Sequence, residues 1–230
     1  MTDSAETTDQ PPLSRPPSYS TIDTPRDSPP SFELRHPTAA TASLQILQND
    51  TALYYAASHN AKDVSDIILH AGYDSKGPQL ALLQFMSFSK DFKIYIGGLR
   101  SPVGEDWDIV RYAESGGKIF HRDPIHRFGS YSRTPNGQSV KEKLHWQKTR
   151  NPKLGASKFS RSDHKLVDEI TDEVVAVYVE HSMRLGTHKG TITYVRKLGE
   201  MAEMAALMAL LGLLERSRRH SKAVSTILGH

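Results

Sequence analysis

The chain reads as a mainly-β protein, a closed antiparallel barrel wrapped around one hydrophobic helix near its C-terminus. Two observations predict it. Between residues 41 and 196 short apolar runs recur every eight to twelve residues with Gly, Asn, Asp or Pro between them, the pattern of an antiparallel sandwich or barrel. Met204 to Leu214 then contains no polar residue, so a helix there has no face for water and must be surrounded. A barrel of about eight strands is filled by its own side chains, whereas a wider one leaves a hollow that a helix clothed in Met and Leu can fill.

Residues 1–40 are rich in Pro, Ser and Thr and poor in large apolar side chains. Such a segment cannot bury enough surface to offset the entropy of ordering it, and the expectation is a disordered tail. Within it Pro16, Pro17, Ser18 and Tyr19 spell PPSY, the form of a WW-domain ligand, with Pro16, Pro17 and Tyr19 as the contact residues. Thr24-Pro25 and Ser28-Pro29 fit a proline-directed kinase. Asn49-Asp50-Thr51 matches a glycosylation sequon, read as chance because Met1 to Asp9 lacks the basic and apolar regions of a signal peptide.

The barrel domain is expected over 41–219. Candidate strands are Ser43 to Leu47, Ala52 to Ser58, Ser65 to Ala71, Gln79 to Phe88 and Phe92 to Gly98. They continue with WDIVRYA, KIFHR, HRFGSY, VKEKLHWQK, KFSRS, HKLVDE, EVVAVYVE and GTITYVR. The clearest hairpin is Lys165 to Glu180, with Thr171-Asp172 between two runs that can pair.

The helix is expected over about 199–217, followed by a short tail at 220–230. From Gly199 to Arg216 the segment has no β-branched residue and is built of strong helix formers. Ala202, Ala205, Ala209 and Gly212 fall on one side and allow close approach of a neighbour. A membrane span is disfavoured: the uninterrupted apolar core rises only about 16 Å, against a hydrocarbon thickness of about 30 Å. Extending it would put Glu200 and Glu203 in lipid.

The Trp-containing strand KLHWQK, the hairpin HKLVDEITDEVVAVYVEH, the strand KGTITYVRKLG and the terminal helix MAALMALLGLLERSRR follow one another in an order that resembles fungal proteins with a Tubby C-terminal-like domain. That family is related to the plant LURP-one-related proteins and the phospholipid scramblases. The resemblance runs from about residue 42 to 219. It implies a closed barrel of about 12 strands enclosing a buried hydrophobic C-terminal α-helix, and an association with phosphoinositide headgroups.

The chain has no cysteine, which removes disulfides, thiol nucleophiles and zinc-finger ligands together and agrees with a reducing compartment. No nucleophile motif, metal-binding motif or phosphate loop is present, and the eleven histidines lack ligand spacing. The expectation is a non-enzymatic protein without a cofactor or metal, cytoplasmic, with peripheral contact at the plasma membrane or a nuclear location as the variants.

The net charge of +3 conceals one basic segment: residues 118–165 carry twelve basic and three acidic residues. Within it a period of two places Lys141, Lys143, His145 and Gln147 on one face of a strand and Val140, Glu142, Leu144 and Trp146 on the other. Arg127, Arg133, Lys141, Lys143, Lys148 and Arg150 are therefore the candidate anion-binding residues, with phospholipid headgroups as ligand. Nucleic acid is not expected, because the strong helix is buried and cannot read a groove. The alternative is a scaffold recruited through PPSY to WW-domain ubiquitin ligases, with no lipid role.

Overall fold

The computed structural model describes residues 30–38, 41–60, 64–97, 107–114, 123–133, 139–158, 160, 162–181 and 187–228. Twelve antiparallel strands close into a barrel, each pairing with its neighbours in sequence and the first with the last. They are β1 (Ser31–Arg35), β2 (Leu44–Gln48), β3 (Thr51–Ser58), β4 (Ile67–Ala71), β5 (Gln79–Phe85) and β6 (Phe92–Ile96), then β7 (Asp108–Glu114), β8 (Pro124–Arg133), β9 (Ser139–Lys148), β10 (His164–Asp168), β11 (Val174–Glu180) and β12 (His188–Tyr194). A single helix, α1 (Glu200–Leu228), follows β12 and fills the lumen.

The alternation along each strand sends one set of side chains inward. Leu34, Ile46, Leu69, Leu83, Ile94, Leu144, Trp146 and Ile192 are fully buried and form one core with α1. Every residue from Met204 to Glu215 is buried, as an all-apolar circumference requires. The small side of the helix is used as expected: a Cβ on Gly212 would come within 2.7 Å of Leu83 and Phe92, so glycine is needed there for contact with β5 and β6. Two large polar-tipped residues find partners on the helix. The Trp146 indole N–H donates to the Ala206 carbonyl at 2.9 Å and the Tyr194 hydroxyl to the Glu203 carbonyl at 3.3 Å, as buried Trp and Tyr require.

Three boundaries differ from the sequence reading. Residues 31–35 lie in the expected tail, yet they form β1, which pairs with β12 on one side and β2 on the other and so closes the barrel. Its alternation is short, with only Phe32 and Leu34 inward, and the strand is set by its two partners rather than by its own pattern. The helix continues past 217 and through the expected 220–230 tail to Leu228. KFSRS forms no strand among its described residues, which belong to the connection after the 3-10 turn Pro152–Leu154. KIFHR lies outside the described residues.

Two tight turns come out as the residues dictate. Asn49 and Asp50 both have positive φ (49° and 61°) between the paired Gln48 and Thr51, a two-residue hairpin turn of the kind Asn and Asp favour. The sequon at that point is therefore a turn signal. At the β10–β11 hairpin Asp168 accepts from the Ile170 and Thr171 backbone N–H groups and Asp172 takes φ 57°.

α1 enters at the end of the barrel carrying the β8–β9 and β10–β11 connections and leaves at the other. Its exit is asymmetric. On the side of β3 to β5, Glu215 receives Arg218 and Arg219, and Arg219 also reaches the Asp66 carboxylate at 2.6 Å and the His59 carbonyl at 2.7 Å. Asp66 in turn accepts from the Phe85 N–H at 2.8 Å. Burial by itself would raise the Glu215 carboxyl, but the hydrogen bonds from Arg218 and Arg219 outweigh it and hold it below the usual carboxylate range. On the opposite side, among the described residues, a cavity lies between α1 and the ends of β7 to β12.

Candidate functional site

Two basic regions result. The first is the outer face of β6 to β10. Register places Arg111 opposite Arg127 and Arg127 opposite His145, while Gly129 faces Lys143 and Tyr131 faces Lys141. Since Leu144 and Trp146 point into the core, Lys141, Lys143, His145 and Gln147 point outward, as the period of two predicts. Lys93 and Lys165 hold outward positions on β6 and β10.

This face is only partly uncompensated. Arg127 Nε lies 3.0 Å from Glu169 Oε1, and His145 Nδ1 lies 3.6 Å from the same oxygen. Lys141 lies along the sheet over Gly129, where a Cβ would come within 2.8 Å of its Cε. Its charge acts on Asp108, whose carboxyl is raised by burial and drawn back by Lys141. Burial pushes the His145 imidazole down, with Glu169 opposing. Lys143 and Arg150 are exposed.

The candidate residues thus separate. Arg127, Lys141 and Lys143 share the outer face; Arg150 lies beyond the end of β9, in the connection to the 3-10 turn. Arg133 ends β8, with its side chain outside the described residues. Lys148 departs from the group: it is in phase with Leu144 and Trp146, and at the last position of β9 it opens into the barrel mouth. Pro16, Pro17 and Tyr19 lie outside the described residues.

That mouth is the second region, a cavity of about 970 Å³ between the emerging helix and the ends of β7 to β12. Its described lining includes six basic side chains (Lys90, Lys148, Lys189, Arg216, Arg218 and Lys222) and one carboxylate, Glu180. Glu180 is engaged by Lys189 and Arg218 by Glu215. Arg216 is held by the backbone carbonyls of Lys90 and Asp91 and lies over the rings of Phe85 and Phe92, 5.1 and 5.4 Å from their centroids. Burial pushes the Arg216 guanidinium down, with Asp91 opposing. Among the described residues Lys148 and Lys222 form no ion pair.

The inner wall of the mouth contains two imidazoles, His126 buried and His164 partly buried. His126 is pushed down to about 3 and His164 to about 4, mainly by burial, so both are neutral at pH 7. His164 Nδ1 lies 2.6 Å from the Ser162 carbonyl and therefore carries the proton.

Sequence reasoning missed the mouth because its cations come from five places: the β5–β6 turn, the end of β9, the start of β12 and two turns of α1. Among these described cations only Lys148 belongs to the basic segment 118–165. Among the described residues no group of three or more potential metal ligands comes together, and no helix is long and apolar enough to cross a membrane. The chain matches no family model, no curated protein and no solved structure.

Proposed function

We propose that the chain is a non-enzymatic regulatory or adaptor module of the Tubby-like kind that binds anionic phospholipid headgroups, phosphoinositides among them, at a membrane surface. The observation that carries this reading is the outer face of β6 to β10, where Lys93, Arg111, Arg127, Lys141, Lys143 and Lys165 project from five adjacent paired strands. A broad sheet presenting separated cations suits a plane of anionic headgroups, each basic side chain near the surface adding about 1 kcal/mol of attraction.

Vesicles containing phosphatidylinositol bisphosphate test it. The full chain should co-sediment with them at moderate salt and lose the interaction at high salt, where exposed charges are screened. Lys141→Glu combined with Lys143→Glu should lower the partition coefficient at least tenfold. No co-sedimentation of the wild-type chain, or unchanged binding by the double variant, removes the proposal.

A further inference from the structure

We infer that the open mouth beside the emerging helix is a second and separate site, which takes a compact polyphosphate: several phosphate groups on a small scaffold, free in solution or carried on a lipid. The inference does not depend on lipid binding by the outer face.

The charge is the first ground. Concave, low-dielectric surroundings strengthen the field of clustered cations, and here the lining has one described carboxylate, already engaged by Lys189. Lys148 and Lys222 stand on opposite walls, one at the end of a strand and one on the helix, and each is exposed. Arg216 brings a third charge that forms no ion pair among the described residues; carbonyl oxygens and aromatic faces hold it, with the Asp91 charge nearby. Lysine ammonium and arginine guanidinium groups are the donors that phosphate oxygens bond most strongly.

Size and shape are the second ground. A cavity of about 970 Å³ is at the upper end of the ~300–1,000 Å³ range of small-molecule sites. A single phosphate would leave most of it, and most of its cations, hydrated. A nucleotide fits less well, because the one tyrosine ring in the described lining, Tyr112, has the Lys90 ammonium over one face, 4.2 Å from its centroid, and the His126 imidazole packed against it at 71° with centroids 5.5 Å apart.

The rim carries a further feature. Phe88, fully exposed and at φ 58°, stands on the β5–β6 turn that also supplies Lys90. A large apolar side chain held outward in a left-handed conformation, beside a basic mouth, gives a lipid-borne polyphosphate a means of approach that a soluble one does not need.

Titration calorimetry of the full chain with inositol hexakisphosphate is the test. Saturable binding with one site is expected, weakening with salt. Lys148→Glu with Lys222→Glu should weaken it at least tenfold, Lys141→Glu with Lys143→Glu less than twofold, and Glu180→Gln should strengthen it two- to threefold. Lys148 and Lys222 are exposed, so the melting temperature should stay within a degree or two; Lys148→Gln and Lys222→Gln supply graded versions. Absence of saturable binding, or equal weakening by the two double variants, overturns the site whether or not the outer face binds vesicles. Vesicles of phosphatidylinositol bisphosphate then identify the source. Competition by inositol hexakisphosphate together with a loss of vesicle binding in Phe88→Ala, beyond any effect of that variant on the soluble ligand, assigns a headgroup. Soluble binding without either effect assigns a free polyphosphate.

Discussion

On the outer face Arg127 shares the Glu169 carboxylate with His145 and Lys141 lies near Asp108, whereas in the mouth Lys148 and Lys222 form no described ion pair and Arg216 is held by carbonyl oxygens. The two regions have similar numbers of cations. They differ in where the acids fall, and that depends on strand register. Glu169 follows β10 and is brought over the outer face by the pairing of β10 with β9, while the clasp of Glu215 and Asp66 draws the acids at the helix exit to the side away from the mouth. Charge counted along the sequence therefore cannot rank the two regions.

The largest effect should come from the element both regions share. Leu207→Asp places an unpaired carboxylate inside the barrel and should cost several kcal/mol, abolishing the cooperative melting transition and both kinds of anion binding together. A folded variant that had lost only one kind would separate the regions more deeply than the fold allows.

Acid should distinguish them next. In the folded chain His126 and His164 stay neutral down to about 3 and about 4, while an imidazole in the unfolded chain titrates near 6.5. Between those values the unfolded chain binds more protons, so their contribution is intact above about pH 6.5 and is lost as the pH falls below it. At pH 5 His126 alone should remove about 2 kcal/mol. The melting temperature should therefore drop between pH 7.5 and pH 5. His126→Phe, beside Phe92 and Tyr112, should flatten much of that drop, and His145→Gln on the outer face should leave most of it.

The smallest effect belongs to the outer acid. Glu169→Gln frees Arg127 and should raise vesicle partitioning about two- to threefold, since an exposed pair of this kind is worth about 0–1 kcal/mol, with no change in binding of inositol hexakisphosphate. A larger gain in the mouth than on the face would reverse the comparison.

The barrel and its central helix were legible in the chain because both rest on local periodicity. The alternation of VKEKLHWQK identifies an inward and an outward face, and the all-apolar run Met204 to Leu214 demands enclosure. Ser31–Arg35 was not legible: five residues with two inward apolar positions become a strand only through partners outside the segment, Gln45 to Leu47 nearby and His188 to Thr193 far away in sequence. The extension of α1 to Leu228 was missed for a related reason. Its last ten residues are mostly polar and β-branched, and a helix already nucleated in the barrel carries them forward where they would not start one. The outer-face lysines were readable from a period of two. The mouth was not, because its lining converges only once the barrel has closed.

The pairing of β1 with β12 also orders events in time. The residues that join to close the barrel, such as Ser31 and Thr193, are 162 positions apart, and the helix that supplies the centre of the core follows both. A chain emerging from a ribosome presents eleven strands before it has the second, closing partner for the first, and all twelve before it has the filling. Sheet pairing at such separation is slow because loop-closure entropy must be met before contacts reward it, and unclosed strands with apolar inner faces are prone to associate with one another. A released chain that ends shortly before Met204 should bind chaperones, whereas one that continues through α1 to Leu228 should not.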